Sequence, residues 1–241
     1  MKQNTQSLFS RRSFLKGTAG IGGGIAAASF AASFGMGSAQ AAAANDDVAT
    51  IVNLAATAET LAVTFYYAAI TGAQFDVAAD DLEYLKLAMD AEQYHLDVLG
   101  TLGAKSLAQQ FYVPATVLSD ANVFVKTGLA AETAFVAAYL AATRILGDAG
   151  HGKLAATTAQ HAASEAVHLS LIREIGGLTP NDLALNAAIY YNVSDAVPTL
   201  APFLKGGTGF IGPVSYPTKA QFDAALAGTK AIKAPPFATL Y

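Results

Sequence analysis

Residues 58–69 read AETLAVTFYYAA and residues 131–142 read AETAFVAAYLAA. Both segments place a Glu among small and apolar residues, with a Tyr seven positions on: Glu59 and Tyr66 in the first, Glu132 and Tyr139 in the second. Each Glu is followed 33 residues later by another that opens a Glu-x-x-His unit, Glu92 to His95 and Glu165 to His168. Self-similarity of this kind marks an internal duplication. A helix turns about 100° per residue, so positions i and i+3 share a face, roughly one turn apart. Each unit therefore aims one carboxylate and one imidazole at the same point.

The surroundings of these four segments set the fold class. Apolar residues recur at helical spacing over four long, Ala-rich stretches, which favours helix–helix packing over strands. The expected helices run over 46–70, 80–102, about 120–146 and 151–175. Thr71-Gly72, Gly103, Gly147 to Gly150 and Gly176-Gly177 are the stops. Residues 103–119 exceed what a hairpin needs and contain Pro114, so they read as a crossover along the bundle, with Ser119 or Asp120 capping the third helix. The expectation is an all-α four-helix bundle spanning residues 42–178, built from two similar hairpins. Residues 179–241 form a Gly/Pro/aromatic-rich C-terminal extension that packs on the bundle or on a partner subunit. Short helices are expected within it over 181–193 and 221–226.

Scarcity strengthens the functional reading. The chain has only six Glu and four His, and the duplicated pattern uses four of the Glu and two of the His. Exposed helix positions are the bland alternative, but Glu59 and Glu132 have almost no other charge nearby. Four ionised carboxylates inside an apolar bundle are prohibitively costly without compensation. Two divalent ions supply four positive charges, and paired Glu-x-x-His helices are the ligand pattern of di-iron and di-manganese bundles. Carboxylate with imidazole suits iron or manganese, with zinc possible by the same chemistry. The candidate ligands are Glu59, Glu92, His95, Glu132, Glu165 and His168. Helical side chains lean toward the N-terminus, which brings Tyr66 and Tyr139 back toward the metal layer as hydrogen-bond donors to the carboxylates. His161, one turn before Glu165, is a weaker candidate for an extra ligand, and His151 reads as a solvated turn residue.

Here the chain resembles the ferritin-like superfamily, which includes bacterioferritin, rubrerythrin and manganese catalase. The likeness rests on Glu59, Glu92-x-x-His95, Glu132 and Glu165-x-x-His168. With its aromatic, Gly/Pro-rich tail, the chain is most similar to exported ferritin-like domain proteins related to desiccation-related proteins. The resemblance implies terminal carboxylates at Glu59 and Glu132, bridging carboxylates at Glu92 and Glu165, and one imidazole for each metal.

The N-terminus reads as an address. Ser10-Arg11-Arg12-Ser13-Phe14-Leu15-Lys16, a Gly/Ala-rich apolar stretch and Ala39-Gln40-Ala41 match a twin-arginine signal with an A-x-A cleavage site over residues 1–41. The expected location is periplasmic or extracellular, with no stable membrane anchor after cleavage. The full chain carries 14 Lys and Arg against 18 Asp and Glu. Removing Lys2, Arg11, Arg12 and Lys16 leaves 10 bases and moves the formal charge from −4 to −8. That balance disfavours nucleic acid as a partner, because phosphate contacts need clustered Lys and Arg. The absence of Cys rules out disulfides, thiol catalysis and a four-cysteine iron site. Peroxide, dioxygen and Fe(II) are the expected small-molecule partners, for a di-metal oxidoreductase or an iron-oxidising protein, and a homo-oligomer is compatible. The alternative is a structural, desiccation-protective bundle with incidental or no metal. Storage in a large cage is disfavoured by the shortage of acids. Rubrerythrin-type electron relay is disfavoured by the missing cysteines.

Overall fold

Asp47 starts the first helix: its Oδ1 accepts a hydrogen bond from Thr50 N at 2.7 Å, satisfying one of the unpaired amides of the first turn. The computed structural model describes residues 44–233. Four long helices dominate it: α1 (Val48–Gly72), α2 (Ala79–Thr101), α3 (Ala121–Asp148) and α4 (Gly152–Ile175). The export signal expected over residues 1–41 lies outside the described residues. Asp80 and Asp81 sit in the first turn of α2, and Asp120 caps α3 by accepting from Asn122 N and Val123 N.

The stops act through backbone conformation. Gly103, Gly150 and Gly177 all have positive φ, near +80°, +80° and +70°. After each of these turns the chain returns an amide to the helix it leaves: Ala104 N to Leu99 O, His151 N to Leu146 O and Leu178 N to Arg173 O.

Helix α1 packs on α2 and α3 on α4 as two hairpins, which meet through α1 with α3 and α2 with α4. The crossover between α2 and α3 is pinned at one end to α1 and at the other to the residues just after it. Lys105 N donates to Asn53 Oδ1 and Leu107 N to Thr57 Oγ1, while Gln74 N donates to Leu118 O. Asn53 and Gly72, the last residue of α1, are separated by about 28 Å of helix. The connection therefore runs most of the bundle's length and delivers α3 antiparallel to α1.

Part of the crossover is a strand, an element not anticipated from the sequence. Strand β1 (Gln110–Pro114) buries Phe111 and Val113 and pairs antiparallel with β2 (Phe210–Ser215) from the C-terminal extension. Gly206 has φ +70°, and a Cβ there would lie 2.9 Å from the Tyr112 ring, so the extension approaches the crossover where only glycine fits.

The helix expected over 181–193 is absent. Leu183 and Leu185 are exposed and offer no face for burial. Asn192 and Asp195 instead form a capping box that starts a 3-10 turn, η1 (Val193–Ala196), followed by α5 (Val197–Lys205). Asp46, read as part of the first helix, instead accepts from Ser194 N and Ser194 Oγ and ties the start of the bundle to η1. The short helix expected over 221–226 is present as α6 (Lys219–Ala225).

The main core gathers Leu61, Phe65 and Tyr66 of α1 with Met89 of α2 and Phe124 and Phe135 of α3. Leu200, Phe203 and Ala225 of the extension are buried in the same cluster. Phe65 and Phe124 stack at 5.1 Å with rings nearly parallel. Helices α1 and α3 have the length and apolarity of membrane spans, but most of each apolar stretch is buried inside the bundle.

Candidate metal centre

Midway along the bundle, each long helix turns acidic side chains inward. Glu59 of α1, Glu92 of α2, Glu132 of α3 and Glu165 of α4 are all at most 2% exposed. His95 and His168 lie one turn beyond Glu92 and Glu165 and are buried with them. All six candidate ligands therefore occupy one chamber. Their ligand atoms fall into two groups of four that share members: Glu59, Glu92, His95 and Glu165 in one, and Glu92, Glu132, Glu165 and His168 in the other.

Both imidazoles present Nδ1 to the carboxylates. His95 Nδ1 is 3.0 Å from Glu92 Oε2, 3.2 Å from Glu165 Oε1 and 3.6 Å from Glu59 Oε2. His168 Nδ1 is 2.9 Å from Glu92 Oε1 and 3.1 Å from Glu165 Oε2. Despite these short separations, Glu59 Oε2, Glu92 Oε1, Glu132 Oε2 and Glu165 Oε1 receive no well-aligned hydrogen bond, although all four are buried. An orphaned buried carboxylate oxygen is expensive. Two ligands about 2.1 Å from one ion, at angles of roughly 90–110°, stand about 3.0–3.4 Å apart. The observed spacings match oxygens and nitrogens arranged around cations, so the residues present fit divalent metal.

The tyrosines complete the chamber by crossing between halves. Tyr66 of α1 donates its hydroxyl to Glu132 Oε1 of α3, and Tyr139 of α3 donates to Glu59 Oε1 of α1. Each bond joins one hairpin's Tyr to the other hairpin's Glu, because antiparallel α1 and α3 set Tyr139 opposite Glu59 and Tyr66 opposite Glu132. Both rings are buried. Burial and the facing carboxylates hold both phenols well above their ordinary range, so they remain donors.

Burial and the crowding of charge shift the chamber's own groups in opposite directions. Burial, then the other carboxylates, raises Glu59 and Glu132 well above the usual carboxylate range. Burial alone would lower the imidazoles. However, Glu59 and Glu165 beside His95, and Glu92 and Glu165 beside His168, outweigh it and hold both well above the usual imidazole range. Burial would raise Glu92, yet His168 and His95 hold it below the carboxylate range.

His161 also reaches this chamber. It is 4% exposed, and its ring centroid lies 4.6 Å from that of His95 and 4.9 Å from that of Tyr139. Burial, then the His95 charge, lowers its pKa to about 4. Its position one turn before Glu165 is the signal in the sequence, but helical spacing alone leaves open which way the ring turns. His151 is exposed at the start of α4, as expected. Outside the chamber, Tyr216 of the extension donates to Gln93, the residue after Glu92, and so braces α2 beside its ligands.

A family model described as ferritin-like domain matches residues 47–178, the span of all four long helices. No curated protein and no solved structure is found to match the chain.

Proposed function

The chain belongs to the ferritin-like domain family, and from that premise we propose that its chamber holds two divalent ions of iron or manganese and serves oxidative-stress defence outside the cytoplasm. The observation that carries this reading is the sharing of Glu92 and Glu165 between two four-residue groups. Shared carboxylates suit bridging ligands, which leaves Glu59 with His95 for one ion and Glu132 with His168 for the other. Four carboxylates against two divalent ions give a neutral interior, and the neutral imidazoles add ligands without charge.

Bound iron or manganese would supply the electron exchange with peroxide or dioxygen that side chains alone lack. The chain's part is to orient, to exclude water and to hold protons. Tyr139 and Tyr66 fix the rotamers of Glu59 and Glu132 through their donated hydrogen bonds, as supporting groups around metal ligands commonly do. The apolar walls around them keep bulk water from the carboxylates. The chain holds no Cys that could relay electrons. This favours chemistry that closes on its own electrons: disproportionation of peroxide, or oxidation of Fe(II) by dioxygen. The twin-arginine pattern at residues 10–16 supports export in the folded, metal-loaded state.

A second reading draws on the buried core shared by the long helices and the extension, which supports a structural, desiccation-protective module that stands without metal. Stopped-flow mixing separates the readings. Metal-loaded protein is mixed with hydrogen peroxide, and apoprotein with Fe(II) in oxygenated buffer. Oxygen evolution without a donor indicates catalase-like turnover, and rapid Fe(II) oxidation indicates ferroxidase activity. If neither reaction exceeds that of Glu92→Ala, the structural reading replaces the redox one.

A further inference from the structure

Among the titratable side chains of the chamber, the two halves differ at one position. Glu59, Tyr66, Glu92 and His95 each have an identical residue 73 positions later in the second hairpin. His161 does not: the position 73 residues before it is Ala88. Both side chains are buried, at 4% exposure. The imidazole is thus an addition to one side of an otherwise duplicated arrangement.

Its chemistry is fixed by one hydrogen bond. His161 Nδ1 lies 2.8 Å from the carbonyl oxygen of Thr157. A carbonyl only accepts, so Nδ1 carries the proton and Nε2 of the neutral ring is a bare lone pair. That Nε2 is buried and has no hydrogen-bond partner. An outer carbonyl that fixes the tautomer of an imidazole is the usual support of a metal-ligating histidine. Glu59, His95 and His161 offer ligand atoms within 4.8 Å of one another, and ligands on opposite sides of one ion stand about 4.2 Å apart. This group shares Glu59 and His95 with one of the four-residue groups, and a closing movement of the side chains would bring all three onto one cation.

We propose that His161 is a further metal ligand, through Nε2, to the ion held by Glu59, Glu92, His95 and Glu165, so that the two metal positions are inequivalent. This rests on the two-metal reading above. One position has two imidazoles and the other has one. Nitrogen ligands favour ions later in the first-row series, such as Co(II) and Zn(II), and an oxygen-rich position suits Mn(II) or Fe(II). The nitrogen-rich position fills first.

The test is a Co(II) titration of metal-free protein, followed by calorimetry and visible absorption. Wild type should take two ions in two resolved steps. Losing a partner that only supports a metal-ligating histidine typically costs about 10–100-fold in affinity, so losing a ligand should cost at least that. His161→Ala should therefore weaken the first step by tenfold or more, leave the second step in place and bring the two affinities together. His161→Gln preserves side-chain bulk and should behave the same way if Ala fails to fold. A measurement on unaltered protein stands beside these: proton spectra of the Co(II)-loaded chain should show three paramagnetically shifted exchangeable imidazole N–H signals, from His95, His161 and His168. Two bound ions with affinities unchanged by either variant, or two shifted signals, overturn the His161 assignment alone. A wild-type chain that takes up no Co(II) overturns the two-metal reading and this one with it.

Discussion

Metal uptake by this chain should be a proton-exchange reaction with a steep pH dependence. In the metal-free protein Glu59, Glu132, His95 and His168 all have raised folded pKa values. Each binds more protons folded than unfolded, from its unfolded value of 4.5 for the acids and 6.5 for the imidazoles up to its folded value. The stability these groups contribute is full below the unfolded pKa and is lost as pH rises through the folded pKa. Glu92 has the opposite sign, present above 4.5 and lost as pH falls, so it acts below the range of the assay. Metal enters only as the four protons leave. Loading two ions should therefore release between about two and four protons per chain near neutral pH, each worth about 1.4 kcal/mol per pH unit in the binding free energy. The apoprotein should lose thermal stability as pH rises above 4.5 for the acids and above 6.5 for the imidazoles, while the rise in Tm on adding Mn(II) or Zn(II) grows with pH. Proton release is counted by pH-stat during metal addition, and Tm by calorimetry with and without metal. Release of fewer than one proton per chain, or a metal-induced Tm rise independent of pH, would refute the charge account of the chamber.

Other outcomes follow from the same geometry. Glu92→Ala removes a side chain shared by both groups and should empty both positions, whereas Glu132→Ala should spare the position near His95; elemental analysis after reconstitution distinguishes them. Tyr139→Phe and Tyr66→Phe each leave a buried carboxylate oxygen without its donor and should destabilise the metal-free protein by about 1–3 kcal/mol, measured by urea unfolding, with metal affinity falling about tenfold or more. Phe124→Ala removes a fully buried ring stacked on Phe65. It should cost about 3–5 kcal/mol in the same assay without changing metal stoichiometry, because Phe124 is two turns from Glu132.

The bundle was legible because its evidence is local. Helical periodicity and glycine stops are written within single segments, and Gly103, Gly150 and Gly177 adopt the positive φ that ends a helix. The four-carboxylate chamber was legible for a related reason, since duplication at fixed spacing carries a symmetric arrangement into the sequence. What escaped depends on distant partners. Strand β1 pairs with β2 across some 100 residues, and the Gly212-Pro213 step inside β2 reads locally as loop. The 181–193 segment is apolar enough to suggest a helix, but no neighbour covers Leu183 or Leu185. Spacing within one helix turned each Tyr toward the carboxylates without saying which one it meets. The antiparallel register of α1 and α3 decides that, sending each phenol to the Glu of the opposite half. His161 was visible as a candidate, but the direction of its ring is set by the packing of α4 and by Thr157.

The central claim is that Glu92 and Glu165 bridge two ions in one chamber. Anomalous diffraction from crystals of protein loaded with Mn(II), collected on both sides of the manganese absorption edge, tests it directly. The account predicts two peaks per chain, roughly 3.5–4 Å apart as in other two-metal centres. One peak should lie beside Glu59 and His95, the other beside Glu132 and His168, with Glu92 and Glu165 between them. No peak in the chamber, or a single ion lacking contact with either shared carboxylate, would contradict it.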